Sequence, residues 1–588
     1  LLKQAKNILK KYYGYENFRD AQEDVIESIL NKNDTVAVMP TGSGKSVCYQ
    51  IPSLIFPGVT IVISPLISLM KDQVDALEEM EISATFINSS INHSEIKNRL
   101  KQVQKNKYKL LYIAPERLSS AKFWYLLNKL DISLIAIDEA HCVSQWGHDF
   151  RPSYLYIEKM INKLNNRPVV TGFTATATPE VRKDIIKQLE LKKPDVYVSG
   201  FDRKNLTFTL RRGVNKDQFV LDYVKTNKEE TGIIYAATRK EVNRVNGILK
   251  DHGYKSDRYH AGLSDKQRHE TQEAFLYDDI NIVVATNAFG MGIDKSNVHF
   301  IIHYNMPKNL ESYYQEAGRA GRDGEPSECI LLYLPGDQQI QKFLINQTET
   351  TTKRKQKQMQ KLQKMVDYCH TTNCLRKYIL SYFGEKNLKD KCGNCSNCND
   401  SRQLTDITEE AQKILSCVYR MDERWGATMT ARVLAGSKNK KVLNNNFNQI
   451  STYNLMPNYT IKEIKEQINM LAADGYLNLT EGKYPIIKLN NLSYKVLKGN
   501  AKVKLRIEKK YHKINTDNDL FTELKKLRKE ISKDEGVPPY IIFHDKTLRE
   551  MSYYLPVDSH SMLKISGVGT VKFKKYGSQF IEIIKQFK

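Results

Sequence analysis

The stretch Met39-Pro40-Thr41-Gly42-Ser43-Gly44-Lys45-Ser46 has the residue types of a phosphate site. It follows the apolar run Thr35-Val36-Ala37-Val38 and precedes a segment, from Lys45 onward, that can open a helix. A glycine-rich turn between strand and helix aims successive backbone N–H groups at one point, and the helix N-terminus adds partial positive charge there. Gly42 and Gly44 let the backbone approach a phosphate without a Cβ in the way. Lys45 would reach the β- and γ-phosphates of a nucleotide, and the Ser46 hydroxyl would hold Mg²⁺. Met39 stands where the common pattern has its first glycine. Taken alone, the stretch also suits a glycine turn with a surface lysine.

A second constellation removes that ambiguity. Asp138-Glu139-Ala140-His141 closes the apolar run Leu134-Ile135-Ala136-Ile137. A carboxylate after a buried strand, paired with a phosphate loop, can bind Mg²⁺, which is the role of Asp138. Glu139 would then orient or deprotonate an attacking water. Upstream, Gln22 lies on a predicted helix running to Leu30, and its amide can donate and accept at once, as the edge of adenine requires. Tyr15 or Phe18 would pack against the base. The segment from Cys142 to Tyr154 mixes Trp146, Phe150, Tyr154 and Arg151 with Gly147 and Pro152, so it reads as a loop. Aromatics in a loop beside such a centre suit stacking on unpaired bases. Farther on, Cys392, Cys395 and Cys398 share one short polar loop, with Cys369 and Cys374 upstream. Four thiolates at such spacing close tetrahedrally around Zn²⁺ and leave no open position, so the site would be structural.

These residues need elements to hold them. Thr60–Ile63, Leu110–Ile113, Leu134–Ile137 and Val169–Phe173 join Thr35–Val38 as short β-branched runs separated by longer amphipathic segments. That alternation predicts a parallel sheet covered on both faces, with ligands beyond the carboxyl ends of the strands. Thr174-Ala175-Thr176-Ala177-Thr178 ends the fifth run with small hydroxyl residues able to sense a neighbouring motif. A second α/β unit is predicted from about Asn205 to Gly336, with strands at Gly232–Tyr235, Ile282–Ala285, Phe300–His303 and Cys329–Leu332 and no phosphate loop of its own. The basic stretch Lys353–Met359 reads as a solvated helix face.

Composition bounds the rest. The chain has 588 residues and a net charge of +23, room for about four domains and a bias toward a polyanionic partner. No apolar run approaches the ~20 residues needed to span a bilayer, and Leu1-Leu2-Lys3-Gln4 shows no signal peptide. Nine cysteines, several in metal-like spacing, suit a reducing cytosol rather than a disulfide scaffold.

Gln22, the phosphate loop, Asp138-Glu139-Ala140-His141 and the threonine–alanine repeat stand in the order of superfamily-two helicases. The aromatic loop, the prelude from Tyr12 to Gln22 and the segment Ser64–Val74 resemble the RecQ family of DNA helicases more closely, and the chain is identified as a bacterial-type member. The resemblance implies a nucleotide site formed by Tyr15, Arg19, Gln22, Thr41, Gly42, Ser43, Gly44, Lys45, Ser46 and Asp294. Catalytic roles fall to Lys45, Asp138, Glu139, His141, Arg319 and Arg322. Both arginines lie in Gln315–Gly324, which resembles the last helicase motif; an arginine fork from a second lobe would clamp phosphate oxygens when the lobes close. Asp294 would bind the ribose or link the lobes, with Lys295 near phosphate or the arginine motif. Among the cysteines, the resemblance selects Cys374 with Cys392, Cys395 and Cys398 as zinc ligands, and leaves Cys369 out.

The implied fold is α/β, with two RecA-like parallel-sheet lobes followed by a zinc-binding helical segment, a winged helix and a small all-α HRDC domain. Boundaries fall at 1–202 and 203–338 for the lobes, 339–402 for the zinc segment, 403–499 for the winged helix, 500–515 for a linker and 516–588 for the HRDC domain. DNA contacts would come from Trp146, Phe150 and Arg151, and from Ser437 and Lys438 where Gly436–Lys441 opens the recognition helix. The wing segment Thr480–Tyr484 looks short for a strand-separating wedge. The implied activity is ATP- and Mg²⁺-dependent 3′–5′ unwinding of duplex DNA in repair, the SOS response, recombination and replication-fork maintenance. Implied partners are single-stranded and forked duplex DNA and single-stranded-DNA-binding protein, with no membrane; implied localisation is cytoplasmic and nucleoid-associated. An RNA helicase and a non-enzymatic DNA scaffold are the rival readings. The cysteine cluster and winged helix oppose the first, and the intact hydrolytic set opposes the second.

Overall fold

The computed structural model describes residues 1–19, 21–88, 91–290, 295–348, 350–400, 405–480, 485–505, 519–535, 542–543, 545–565, 567–569 and 572–587. Asp294, the wing tip at 481–484 and residues 537–541 lie outside the described residues.

The first lobe is built on a seven-stranded parallel sheet. Its strands are β1 (Thr35–Val38), β2 (Val59–Ile63), β3 (Ala84–Ile87), β4 (Leu110–Ile113), β5 (Ile132–Ile137), β6 (Val169–Thr174) and β7 (Asp195–Val198). They lie in the order β3-β4-β2-β5-β6-β1-β7. Strands β1, β2 and β4 are buried along their whole length, as a sheet covered on both faces demands. The order puts β5, β6 and β1 side by side, with Ile137 opposite Gly172 and Val38 opposite Thr174. Residues following these three strands therefore emerge together at one sheet end: Asp138 after β5, Thr174 closing β6, and Met39 after β1.

The second lobe repeats the plan with six parallel strands: β8 (Leu206–Arg212), β9 (Gly232–Tyr235), β10 (Ser256–Tyr259), β11 (Ile282–Ala285), β12 (Phe300–His303) and β13 (Ser327–Tyr333), in the order β10-β11-β9-β12-β13-β8. The five interior strands of the first lobe and the four of the second coincide with the apolar runs of the sequence. The expectation missed β3, β7, β8 and β10.

The chain divides into two compact units. One comprises residues 1–401 with 469–493, the other residues 402–468 with 494–588. Residues of the expected winged helix, 403–499, fall in both units. In the first unit, Asn478–Leu479 pairs antiparallel with Ile487–Lys488. In the second, Lys504–Leu505 pairs antiparallel with Thr405–Asp406, and the Ile407 N–H donates to the Val503 carbonyl at 2.9 Å. Within the linker expected at 500–515, Lys504–Leu505 forms this short strand and Val503 and Leu505 are buried, since burying apolar side chains outweighs the polar composition around them; residues 506–515 lie outside the described residues. Gly436–Lys441 leads into a short helix. Ser437 and Lys438 precede the five-residue helix Lys440–Asn444, capped by the Asn439 side chain. The C-terminal helices Asp519–Asp534, Asp545–Tyr554 and Ser578–Gln586 surround a core that includes Leu524, Phe543, Leu548, Met551 and Phe580.

Candidate functional site

The phosphate loop turns between β1 and the helix Lys45–Ile55, with Gly42 and Gly44 at φ +81° and +77°. Its apex is braced by the upstream motif. Gln22, first residue of the helix Gln22–Leu30, donates through Nε2 to the Ser43 carbonyl at 3.0 Å and accepts from the Arg19 N–H at 2.8 Å. Arg19 Nη1 donates to the Gly42 carbonyl at 2.9 Å. Tyr15 is exposed, with the Arg19 guanidinium 5.9 Å from its ring centre, whereas Phe18 packs into the core. Of the two aromatics considered for the base, Tyr15 is exposed and Phe18 is half-buried against the core.

Lys45 Nζ donates to the carbonyls of Met39 (3.2 Å) and Pro40 (3.1 Å). Loss of solvent pushes its pKa down, against the opposing charges of Glu139 and Asp138. Asp138 is pushed up to about 7 by burial and then by the adjacent Glu139 carboxylate. Burial also works upward on Glu139, but His141, Lys45 and Arg319 outweigh it and hold the carboxyl below its usual range. Glu139 itself sits at φ +47°, a left-handed conformation uncommon for a residue with a side chain.

His141 links three motifs. Its Nδ1 lies 2.8 Å from Thr174 Oγ1 and 3.2 Å from Glu139 Oε2, and its ring stacks on His148 with centres 4.3 Å apart. His148, in the aromatic loop, reaches Gln315 Oε1 of the second lobe at 3.2 Å. The loop is not bare. Lys353 and Lys357 lie 5.4 and 5.0 Å from the Trp146 ring centre, and Arg354 lies 4.8 Å from that of Phe150. The basic helix Thr352–His370, expected to be a solvated face, instead lays its cations on these rings; cation–π attraction supplies what a local charge pattern cannot reveal. Arg151 is held by Asp149 at 3.2 Å and by the Pro65 carbonyl at 2.7 Å.

The second lobe brings its arginines from the turn after the helix Leu310–Ala317. Arg319 is buried and donates through Nη1 to the Gly290 carbonyl. A Cβ on Gly42 would lie 3.5 Å from Arg322 Cγ, so this side chain crosses the phosphate loop. Lys295, expected near phosphate or the arginine motif, instead pairs with Asp278 at 2.6 Å beside the Phe275 ring. Sequence reasoning missed Arg203, which hydrogen-bonds both the phosphate loop and the arginine turn.

The sulfurs of Cys374, Cys392, Cys395 and Cys398 all lie within 4.8 Å of one another. Tetrahedral Zn–S bonds of ~2.3 Å place ligand sulfurs about 3.8 Å apart, and Cys392 and Cys398 are 3.9 Å apart. Backbone N–H groups of Lys377, Asn394 and Cys398 point at three of the sulfurs from 3.3 to 3.4 Å, which favours thiolate. The donor set fits zinc. Cys369 is buried outside this cluster. The approach to Cys374 is held by Asp474, whose carboxylate accepts from Thr371 Oγ1 (2.7 Å), Thr372 Oγ1 (2.5 Å) and Asn373 Nδ2 (3.0 Å).

Comparison with known proteins accounts for nearly the whole chain. Residues 19–185 match the DEAD/DEAH box helicase family, 215–324 the helicase conserved C-terminal domain, 335–399 the RecQ zinc-binding family, 401–513 the RQC domain and 517–584 the HRDC domain. An ATP-dependent DNA helicase RecQ of Bacillus subtilis (strain 168) is 50% identical over 588 residues, covering 100% of this chain and 99% of that protein. Its counterpart in Pasteurella multocida is 39% identical, covering 99% and 94%. The RecQ-like DNA helicase BLM of Xenopus laevis is 33% identical, with 100% of this chain covering 46% of that longer protein.

Proposed function

This chain belongs to the RecQ family of ATP-dependent DNA helicases, and from that premise we propose that it unwinds duplex DNA by moving 3′ to 5′ along one strand, serving repair, recombination and replication-fork maintenance. The observation that carries the mechanism is the composite pocket: Arg322 of the second lobe lies across Gly42 of the first. A site completed only when two lobes meet converts hydrolysis into relative lobe movement.

Lys45 leaves its two carbonyls for the β- and γ-phosphates, with Gln22, Arg19 and Tyr15 around the base. Mg²⁺, held by the oxygen donors of Ser46 and Asp138, would neutralise phosphate charge, and oxygen ligands suit that hard cation. Glu139 takes the proton of the attacking water as the new O–P bond forms and the bond to the bridging β–γ oxygen breaks. His141 orients Glu139. Arg319 and Arg322 stabilise charge on the transferring phosphoryl group, a contribution of ~10³–10⁵ in rate where GTPases have been measured. Asp294 contacts the ribose or the other lobe. Trp146 and Phe150 meet unpaired bases, and Arg151, Ser437 and Lys438 meet phosphates. Such a protein works on the nucleoid, and single-stranded-DNA-binding protein is a partner suited to its product. The 3′–5′ direction rests on the family resemblance.

The test is strand displacement on forked duplexes carrying a 3′ or a 5′ single-stranded tail, with and without ATP. Unwinding is expected only with ATP and a 3′ tail. Unwinding that needs a 5′ tail overturns the polarity, and displacement without ATP overturns the motor reading.

A further inference from the structure

Arg203 opens the second lobe, between β7 and β8. Its Nη1 donates to the Thr41 carbonyl at 3.0 Å and the Gly318 carbonyl at 3.3 Å; its Nη2 donates to the carbonyls of Ala320 at 3.0 Å and Gly321 at 2.6 Å. Thr41 belongs to the phosphate loop. The other three carbonyls follow the helix Leu310–Ala317 and frame the turn that carries Arg319 and Arg322. Carbonyls past a helix end have no intrahelical partner, and a cation there is favourable. A rigid guanidinium fork meets three of them and the Thr41 carbonyl at once, which an ammonium on a flexible stem cannot do. A Cβ on Gly42 would lie 3.9 Å from Arg203 Nη1 and 3.5 Å from Arg322 Cγ, so fork and finger run side by side over the loop.

The backbone bearing this fork is itself gripped. Arg376, two residues beyond Cys374, donates through Nη1 to the Arg203 carbonyl at 2.7 Å and to the Asp202 carboxylate, and through Nη2 to the Leu206 carbonyl. Phe201 stacks on Phe383 with ring centres 4.5 Å apart, and its carbonyl accepts from the Tyr314 hydroxyl. The connector between the lobes is therefore fastened to the helix Leu375–Tyr382, which starts at the first clustered cysteine.

We propose that Arg203 is a positioning residue for ATP hydrolysis: it aligns the arginine turn 318–322 with the phosphate loop, and Arg376 holds Arg203 in register. This rests on the reading of Arg319 and Arg322 as phosphate-clamping groups. Both terminal nitrogens of Arg203 are committed to carbonyls, so it acts through the turn rather than on phosphate. Its loss should leave the nucleotide-binding groups in place and misalign the clamp, lowering kcat more than it raises KM.

The experiment measures DNA-stimulated ATPase kcat and KM, melting temperature and zinc content on the full chain. The variants are Arg203→Gln, Arg203→Lys, Arg376→Lys and Arg319→Ala, the double variant Arg203→Gln with Arg319→Ala, and Lys45→Ala as control. A misplacement of about 1 Å costs ~10²-fold in rate, and that fall in kcat is expected for Arg203→Gln, with KM for ATP changed less than about threefold. Arg203→Lys should fall between it and wild type. Arg376→Lys should lower kcat in the same direction with zinc content unchanged. The double variant should be no slower than Arg319→Ala alone, because residues acting through one another are non-additive. A folded Arg203→Gln with wild-type kcat, or losses that multiply in the double variant, overturns the proposal. If Arg203→Gln does not fold, Arg203→Lys, which keeps the charge and loses the fork, decides by the same criterion. An active Lys45→Ala would instead overturn the phosphate-site reading beneath it.

Discussion

Replacing Gly290 by alanine is expected to remove most ATP turnover while leaving nucleotide affinity nearly unchanged. Gly290 sits at φ +119°, and a Cβ there would fall 2.5 Å from Arg319 Nε, 2.6 Å from its Cζ and 2.7 Å from the Tyr235 hydroxyl oxygen, against ordinary contacts of 3.4–4 Å. Tyr235 is fixed by donating to the Phe289 carbonyl at 3.1 Å, so the guanidinium must yield, by roughly 1 Å, and a shift of that size costs ~10²-fold in rate, or about 2.7 kcal/mol of barrier. Complete loss of such an arginine sets the ceiling at ~10³–10⁵. The strained backbone should separately lower stability by ~1–3 kcal/mol, read as a drop in melting temperature. Steady-state ATPase with saturating single-stranded DNA gives kcat and KM, and a fluorescent nucleotide gives affinity. A folded Gly290→Ala protein with kcat within about threefold of wild type would refute the placement of Arg319 at the reacting phosphate. So would a double variant with Arg319→Ala much slower than Arg319→Ala alone.

Three further outcomes are expected. Trp146→Ala should lower DNA stimulation more than basal ATPase, since a base stacked on an aromatic is worth ~1–3 kcal/mol; equal losses would mark the ring as a purely structural anchor for Lys353 and Lys357. Zinc content by atomic absorption should be one per chain in wild type and Cys369→Ala and lost in Cys395→Ala, whereas zinc retained in Cys374→Ala would overturn the choice of first ligand. His148 is held well below its ordinary pKa by burial, then by the charges of His141, Lys361 and Lys308. The unfolded chain therefore takes up a proton near pH 6.5 that the folded chain refuses, and stability present above that pH is lost on acidification by up to ~1.4 kcal/mol per pH unit. His148→Gln should flatten the decline of melting temperature between pH 6.5 and 5; an unchanged slope would assign the decline to other groups.

The interior of both sheets was legible because β-branched runs such as Ile282–Ala285 are buried on both faces and read as continuous apolar stretches. Edge strands were not. Strand β7 leaves Val196 44% and Val198 38% exposed, and β10 is Ser256-Asp257-Arg258-Tyr259, without an apolar run at all. Site residues whose chemistry is intrinsic to a short motif, such as Lys45 or the four cysteines, declared themselves by type and spacing. Arg203 did not, because its role is set by carbonyls more than a hundred residues away. Lys353, Arg354 and Lys357 were misread for a related reason: a charge run looks the same locally whether water or an aromatic ring faces it.

Asp474 carries a consequence for how this chain can be made and cut. It belongs to residues 469–493, which join the first compact unit although the chain leaves that unit after residue 401. The unit is discontinuous, and the groups that steady Thr371, Thr372 and Asn373 ahead of Cys374 emerge from the ribosome about a hundred residues later. The cysteine loop must therefore wait, with its approach unfastened, until the later segment is synthesised. A fragment ended at 401, where the sequence suggests a clean boundary, would keep every metal ligand and every motif of the nucleotide pocket yet lack the carboxylate that holds them in line.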